Sequence, residues 1–339
     1  MKIAGFDVGG ANTDVAIIDF NNSGEISNIE VDYKYLPMWA KKEELGVALK
    51  KLLGPHIDDL DAVGICMTAE LVDAYKTKKE GVLDIAKKVK EVFKVPVGFV
   101  SVNGMVDYEK LHNNPEKVAA ANWIATSMIA AKITPDCIMV DVGSTTTDII
   151  PIKNGLECAQ GRSDLERLGT GELVYSGTLR TNLATIVQQV PINNQWFRVS
   201  SELFAISADV HTVLDLIDKK VYTCDTPDGA GKSKEECMRR ISRLVCGDLD
   251  VLEKNEIEQM SNYIHQEQIK QISEALLEVS AGEDIKVVGT GLGMDILAKK
   301  ASGSIGLEFI GMDTIFSKEE CVVAPAIGTA LLMQDYLKR

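Results

Sequence analysis

Asp7-Val8-Gly9-Gly10-Ala11-Asn12-Thr13-Asp14 and Asp141-Val142-Gly143-Ser144-Thr145-Thr146-Thr147-Asp148 are two versions of one octapeptide, identical at five of the eight positions. Each follows a short apolar run, and each leads into another: Val15-Ala16-Ile17-Ile18 after the first, Ile149-Ile150 after the second. Apolar runs around a glycine turn predict β-hairpins with buried strands. Glycine at a hairpin tip lets backbone N–H groups approach a ligand closely, and such tips form anion-binding nests. Asn12, Thr13, Ser144, Thr145 and Thr146 add side-chain donors beside Gly9, Gly10 and Gly143. Asp7 and Asp141, at the ends of buried strands, suit Mg²⁺, which takes carboxylate oxygen and keeps several waters. A single such turn reads as an ordinary tight turn. Two copies in opposite halves read as a duplicated unit whose tips share a phosphate site.

Outward from these turns, the first half alternates. Amphipathic periodicity predicts helices over 41–53 and 80–93, strands over 61–67 and 95–100, and a helix of small apolar residues over 116–131. Alternation of this kind builds a sheet covered by helices. The second half starts near 135, after Ile133-Thr134-Pro135. Segment 164–186 reads as mostly helical with glycine interruptions. Segment 187–232 reads as a less regular cap insertion, and helices are expected over 234–246 and 254–280. Residues 285–293 read as a strand entering the turn Gly289-Thr290-Gly291-Leu292-Gly293 before a helix. Strand–GxGxG–helix is a generic nucleotide signal. A Rossmann reading would use Glu308 as its acidic partner, but too little chain follows for a dinucleotide domain. The expected division is 1–134 and 135–324, with a C-terminal helix over 325–339 returning to the first lobe.

Taken in order, the two octapeptides, the late Gly-rich turn and the small-residue terminal helix resemble the phosphate-1, phosphate-2, adenosine and connect-2 segments of the actin, sugar-kinase and hsp70 superfamily. The Thr-Asp endings are similar to its hydantoinase A/oxoprolinase branch. Met67-Thr68-Ala69-Glu70-Leu71, Ala121-Asn122-Trp123 and Gly171-Glu172-Leu173-Val174-Tyr175-Ser176-Gly177 resemble an archaeal subgroup of that branch, which acts in methanofuran biosynthesis. The resemblance implies a two-lobed α/β fold, actin-like and ribonuclease H-like, with a duplicated mixed sheet, flanking helices and a cleft between lobes. It also implies a transferase chemistry: an aminomethylfuran-methanol diphosphate condenses with γ-glutamyltyramine, an ether forms and diphosphate leaves. On that chemistry, donor-rich turns and Mg²⁺ stabilise the charge growing on the leaving group. The phenol has a pKa near ~10 and needs a base. Glu70, Asp14 and Asp148 are the candidates, and Glu70 is preferred because it follows a strand end. Arg162 and Arg180, with Asn122, are candidate substrate contacts, since an arginine fork fits diphosphate or carboxylate.

A second reading keeps ATP in the same turns, as in a small-molecule kinase or a hydantoinase-like amidohydrolase. A third is a nucleotide-regulated binding module, for which 339 residues leave little room. Composition narrows the partners. With net charge −14 and 45% hydrophobic residues, the chain is globular and repels nucleic acid and anionic membrane. Small molecules are the expected partners, and a homo-oligomer is compatible with these totals. The seven cysteines include no CxxC pair, the four histidines show no HxxxH or HxH spacing, and no apolar stretch has spanning length. Those features suggest a cytoplasmic protein with reduced thiols. The Lys76–Lys79 run reads as a solvated loop, Cys66 and Trp123 as core, and His211 as solvated or hydrogen-bonded.

Overall fold

The computed structural model describes residues 1–339. The chain forms two compact units, one of residues 1–139, 150–169 and 312–339, the other of 140–149 and 170–311. The stretches 150–169 and 312–324 thus fall in the first unit, beyond the sequence boundary at 134/135.

The first unit is built on β1 (Lys2–Val8), β2 (Asn12–Phe20), β3 (Ile26–Tyr35), β4 (Ala62–Met67), β5 (Val97–Ser101) and β6 (Gly104–Val106), in the order β3-β2-β1-β4-β5-β6. β1 runs antiparallel to β2 and parallel to β4, and β4 is parallel to β5. Every residue of β4 is buried, as in a parallel strand covered on both faces. Alternation along β1 divides its side chains. Ala4, Phe6 and Val8 join a core with Leu45 and Leu49 of the helix Leu45–Leu53 and with Val82, Ile85 and Val89 of the helix Lys78–Val92. Ile3, Gly5 and Asp7 face the other way. There the C-terminal helix Ala324–Leu337 lies so close that a Cβ on Gly5 would enter its backbone at Ala326 and Ala330, and one on Gly64 would stand 2.8 Å from the Thr329 carbonyl.

A second sheet contains β7 (Cys137–Val142), β8 (Thr147–Lys153), β9 (Leu156–Glu157), β10 (Leu173–Val174), β13 (Val287–Thr290) and β14 (Phe309–Gly311), in the order β10-β8-β7-β13-β14 with β9 on β8. Between β10 and β13 lies the separate hairpin β11 (Gln189–Ile192) and β12 (Gln195–Arg198). Its two-residue turn, Asn193 and Asn194, has positive φ at both positions (48° and 64°), the twist a short hairpin favours.

Some expectations change. The helix read over 116–131 starts later, as Asn122–Ile133, because Ala120 at φ 48° breaks the chain direction after a single turn at Pro115–Lys117. Segment 164–186 is not mostly helical. The helix Asp164–Gly169 stops before Gly171 (φ 75°), β10 then pairs with β8, and a short helix, Leu183–Ile186, follows. Segment 187–232 holds β11–β12 and the helix Ser207–Val213. It is tied to the helix Lys234–Ser242 by a buried ion pair, Arg240 Nη2 to Asp209 Oδ1 at 2.8 Å, with the Tyr222 hydroxyl donating to the same oxygen. No helix is long and apolar enough to cross a membrane.

Candidate active site

The two octapeptide turns close in the same way. Gly9 N–H donates to the Asn12 carbonyl at 2.9 Å, and Gly143 N–H donates to the Thr146 carbonyl at 2.9 Å. These bonds do not engage the amides that follow. Neither Gly10 and Ala11 in the first turn, nor Ser144, Thr145 and Thr146 in the second, donate their N–H groups to any acceptor of the protein. Consecutive amides of this kind form a concave patch of positive potential that suits phosphate oxygens.

In the first unit, Asp7 and Asp14 stand opposite each other on β1 and β2, so their carboxylates share one face at the foot of the turn. The Asn12 amide oxygen and the Thr13 hydroxyl are buried without a protein partner. The chain leaving β4 packs against the tip. Thr68 N–H and Ala69 N–H both donate to the Val8 carbonyl, and Val72 lies 3.3 Å from where a Gly10 Cβ would stand. Glu70 is therefore carried next to the turn, and its side chain is 1% exposed. Burial pushes its carboxyl up to about 7, the nearby Lys78 ammonium opposing and Asp164 reinforcing the shift. Its Oε2 has no hydrogen-bond partner.

Sequence reasoning missed the groups around Glu70. Lys78 does not lie in a solvated loop. Thr77 caps the helix Lys78–Val92 by accepting from Glu80 N–H, and Lys78 Nζ reaches 3.9 Å from Glu70 Oε1 and 3.0 Å from Asp164 Oδ2. The other Asp164 oxygen accepts from buried Arg167, whose guanidinium lies 5.1 Å from the centroid of the Trp123 ring. Lys78 and Asp164 are 86 residues apart, and no local pattern signals their meeting.

In the second unit, a strap of residues 176–181 holds the second turn. Thr178 N–H donates to the Gly143 carbonyl, and Leu179 and Arg180 N–H both donate to the Ser144 carbonyl. Gly177 is pressed against the turn so closely that a Cβ would stand 2.6 Å from Thr145 N. Arg180 Nη1 reaches Thr145 Oγ1 at 3.3 Å, and the Thr147 hydroxyl donates to the Ser176 carbonyl at 2.7 Å. The turn after β13 backs onto the same place. Gly293 N–H donates to the Val142 carbonyl, and Gly291, at φ 84°, meets Asp141 and Val142 where a side chain would project. Gly289 and Thr290 end β13, and Asp148 in β8 is 6% exposed.

The remaining predicted contacts sit elsewhere. Arg162 belongs to the first unit, where Nη1 donates to Glu157 at 2.7 Å in a largely exposed ion pair. Asn122 opens the helix Asn122–Ile133, half-buried. Cys66 is buried, its thiol donating to the Phe6 carbonyl. His211 is fully buried, with Nδ1 2.8 Å from the Thr178 carbonyl.

No group of three or more His, Cys, Asp and Glu side chains is arranged to cage a metal. Each turn instead has one nearly buried carboxylate at its foot, Asp7 in the first unit and Asp141 in the second, the oxygen-donor type that Mg²⁺ takes together with retained water.

Residues 61–336 match the hydantoinase/oxoprolinase family model. Over 342 residues, covering 100% of the chain and 99% of that protein, the sequence is 39% identical to the (4-{4-[2-(gamma-L-glutamylamino)ethyl]phenoxymethyl}furan-2-yl)methanamine synthase of Methanocaldococcus jannaschii. It is 36% identical to the protein of the same description from Methanococcus vannielii over 62% of the chain and 96% of that protein. Among solved structures, the activator of the 2-hydroxyisocaproyl-CoA dehydratase from Clostridium difficile with bound ADPNP shares the fold. The TM-score is 0.51 and the identity 12%, with 100% of this chain and 96% of that one covered. This protein is a member of the hydantoinase/oxoprolinase family, on the actin-like, sugar-kinase type of α/β fold.

Proposed function

We propose that the chain is a transferase that makes the aryl ether named in its relatives' description. An aminomethylfuran carrying a methanol diphosphate condenses with γ-glutamyltyramine. The bond between the furanylmethyl carbon and the diphosphate oxygen breaks, and diphosphate leaves with the electron pair. The phenolic oxygen bonds to that carbon and its proton passes to a base. One structural observation carries the reading: runs of tip amides with no acceptor of their own, followed by hydroxyls, offer donors for the charge that grows on departing diphosphate. Gly10 and Ala11 offer such amides in the first unit, beside Asn12 and Thr13, and Ser144 to Thr146 offer them in the second, beside Arg180; the Gly9 and Gly143 amides instead close their own turns.

Glu70 is the base of this proposal. A carboxylate held near neutrality accepts a proton more readily than an ordinary one, while half of it is still ionised at pH 7. Asp14 and Asp148 stay ancillary to it, at the feet of the turns. Asp7 in the first unit or Asp141 in the second would hold Mg²⁺, which supplies charge neutralisation on the diphosphate. Small polar substrates of this kind fit an enzyme of the cytoplasm.

The test is incubation of the purified chain with the furan diphosphate, γ-glutamyltyramine and MgCl₂, with and without ATP, read by mass spectrometry. Ether and diphosphate formed without ATP support the transferase. Product that appears only with ATP hydrolysis transfers the turns to nucleotide and defeats it.

A further inference from the structure

Behind the strap of residues 176–181 lies a buried pair of histidines that the reaction does not use. His211 and His265 are 0% and 2% exposed, and their rings meet edge to face, centroids 5.2 Å apart at 86°. Burial pushes both imidazoles down, to about 4 and about 3, so both are neutral at working pH. The partners then decide where each proton sits. A carbonyl can only accept, so His211 carries its proton on Nδ1, facing the Thr178 carbonyl at 2.8 Å. An ammonium can only donate, so His265 offers a lone pair from Nε2 to Lys300 Nζ at 3.4 Å and carries its own proton on Nδ1. The two nitrogens left over, His265 Nδ1 and His211 Nε2, are buried and make no hydrogen bond to each other, and the Gln268 side chain lies beside His211 as a further partner.

From this we propose that His211 is a positioning residue for the second turn, held in the Nδ1–H form by the Thr178 carbonyl. The route to the tip runs through single peptide groups. His211 Nδ1–H donates to the Thr178 carbonyl. The N–H of that same peptide, on Leu179, donates to the Ser144 carbonyl. The N–H of the Ser144 peptide is the open amide of Thr145. Hydrogen bonds in series polarise one another in a dry interior, so each link strengthens the donor at the tip as well as fixing its place. Gln268 supports the strap beside this chain, donating to Ser176 Oγ and the Gly177 carbonyl, and Ser207 Oγ donates to that carbonyl too.

The inference rests on the turn's role as an anion site, so its test has two arms. The first is ¹⁵N NMR of histidine-labelled protein. Both residues should appear as the Nδ1–H form, the minor form of a free neutral imidazole. The second is titration with inorganic diphosphate and Mg²⁺, alongside the KM for the furan diphosphate. His211→Leu should weaken diphosphate binding roughly tenfold and raise that KM, with the KM for γ-glutamyltyramine unchanged. His211→Asn, whose amide nitrogen takes the place of Nδ1, should recover most of the loss and shows that the site tolerates substitution. A His211 protonated on Nε2, or a leucine variant with wild-type diphosphate affinity, overturns the proposal. If the wild-type protein binds no diphosphate, the anion reading of the turn falls, and the NMR arm alone decides the tautomer lock.

Discussion

Glu70 makes the most exacting prediction, because burial couples its titration to folding. In the unfolded chain its carboxyl titrates near the ordinary 4.5, and in the folded protein at about 7. The difference, at about 1.36 kcal/mol per pK unit, is roughly 3 kcal/mol. The sign follows from proton binding. Between those two values the folded state holds more protons than the unfolded one, so stability falls as pH rises. Glu70's contribution is fully present below about 4.5 and lost once pH passes about 7. Glu70→Gln keeps the shape of the protonated acid and cannot ionise. Its stability relative to wild type should therefore rise by roughly 3 kcal/mol between pH 5 and pH 8, read from urea unfolding at each pH. The same substitution removes the proposed base, so ether formation should fall even as stability rises. In the wild type, kcat should drop on the acid side with an inflection near 7. A stability difference that stays flat across pH would refute the reasoning, since it would mean Glu70 is solvated in the folded protein.

Five further variants have outcomes set by the structure. Asp141→Ala should lower turnover on the order of 100-fold without unfolding the chain, measured by product formation and circular dichroism. Arg180→Ala should raise the KM for the furan diphosphate, whereas Arg162→Ala should leave it unchanged and alter stability by less than about 1 kcal/mol, as for an exposed ion pair. Gly177→Ala should displace the strap from Thr145 and cost about 1–3 kcal/mol, with weaker diphosphate binding seen by calorimetry. Arg240→Met leaves Asp209 buried and uncompensated, and should cost about 3–5 kcal/mol in urea unfolding.

The sequence alone determined the paired hairpins, the open glycine tips and the helices of strongest periodicity, of which 254–280 is reproduced residue for residue by Lys254–Ser280. Those features are local: a glycine turn, an apolar run and a 3.6-residue period each constrain the backbone within a few residues. Local reading failed in 164–186, where helical composition yielded to a strand because β8 had an open edge for β10 to pair with. Tertiary structure alone decided what surrounds the turns. Glu70 is an ordinary acidic residue in sequence. It becomes a group titrating near neutrality because the packed chain excludes water from it, Asp164 adding to the shift and Lys78 opposing it. The strap is likewise held by Gln268, which donates to Ser176 from 92 positions away, and by His211, whose ring packs on His265 without any metal-like spacing. Such meetings depend on how packed elements stack, and desolvation, which gives them their energy, does not exist until the chain has closed over them.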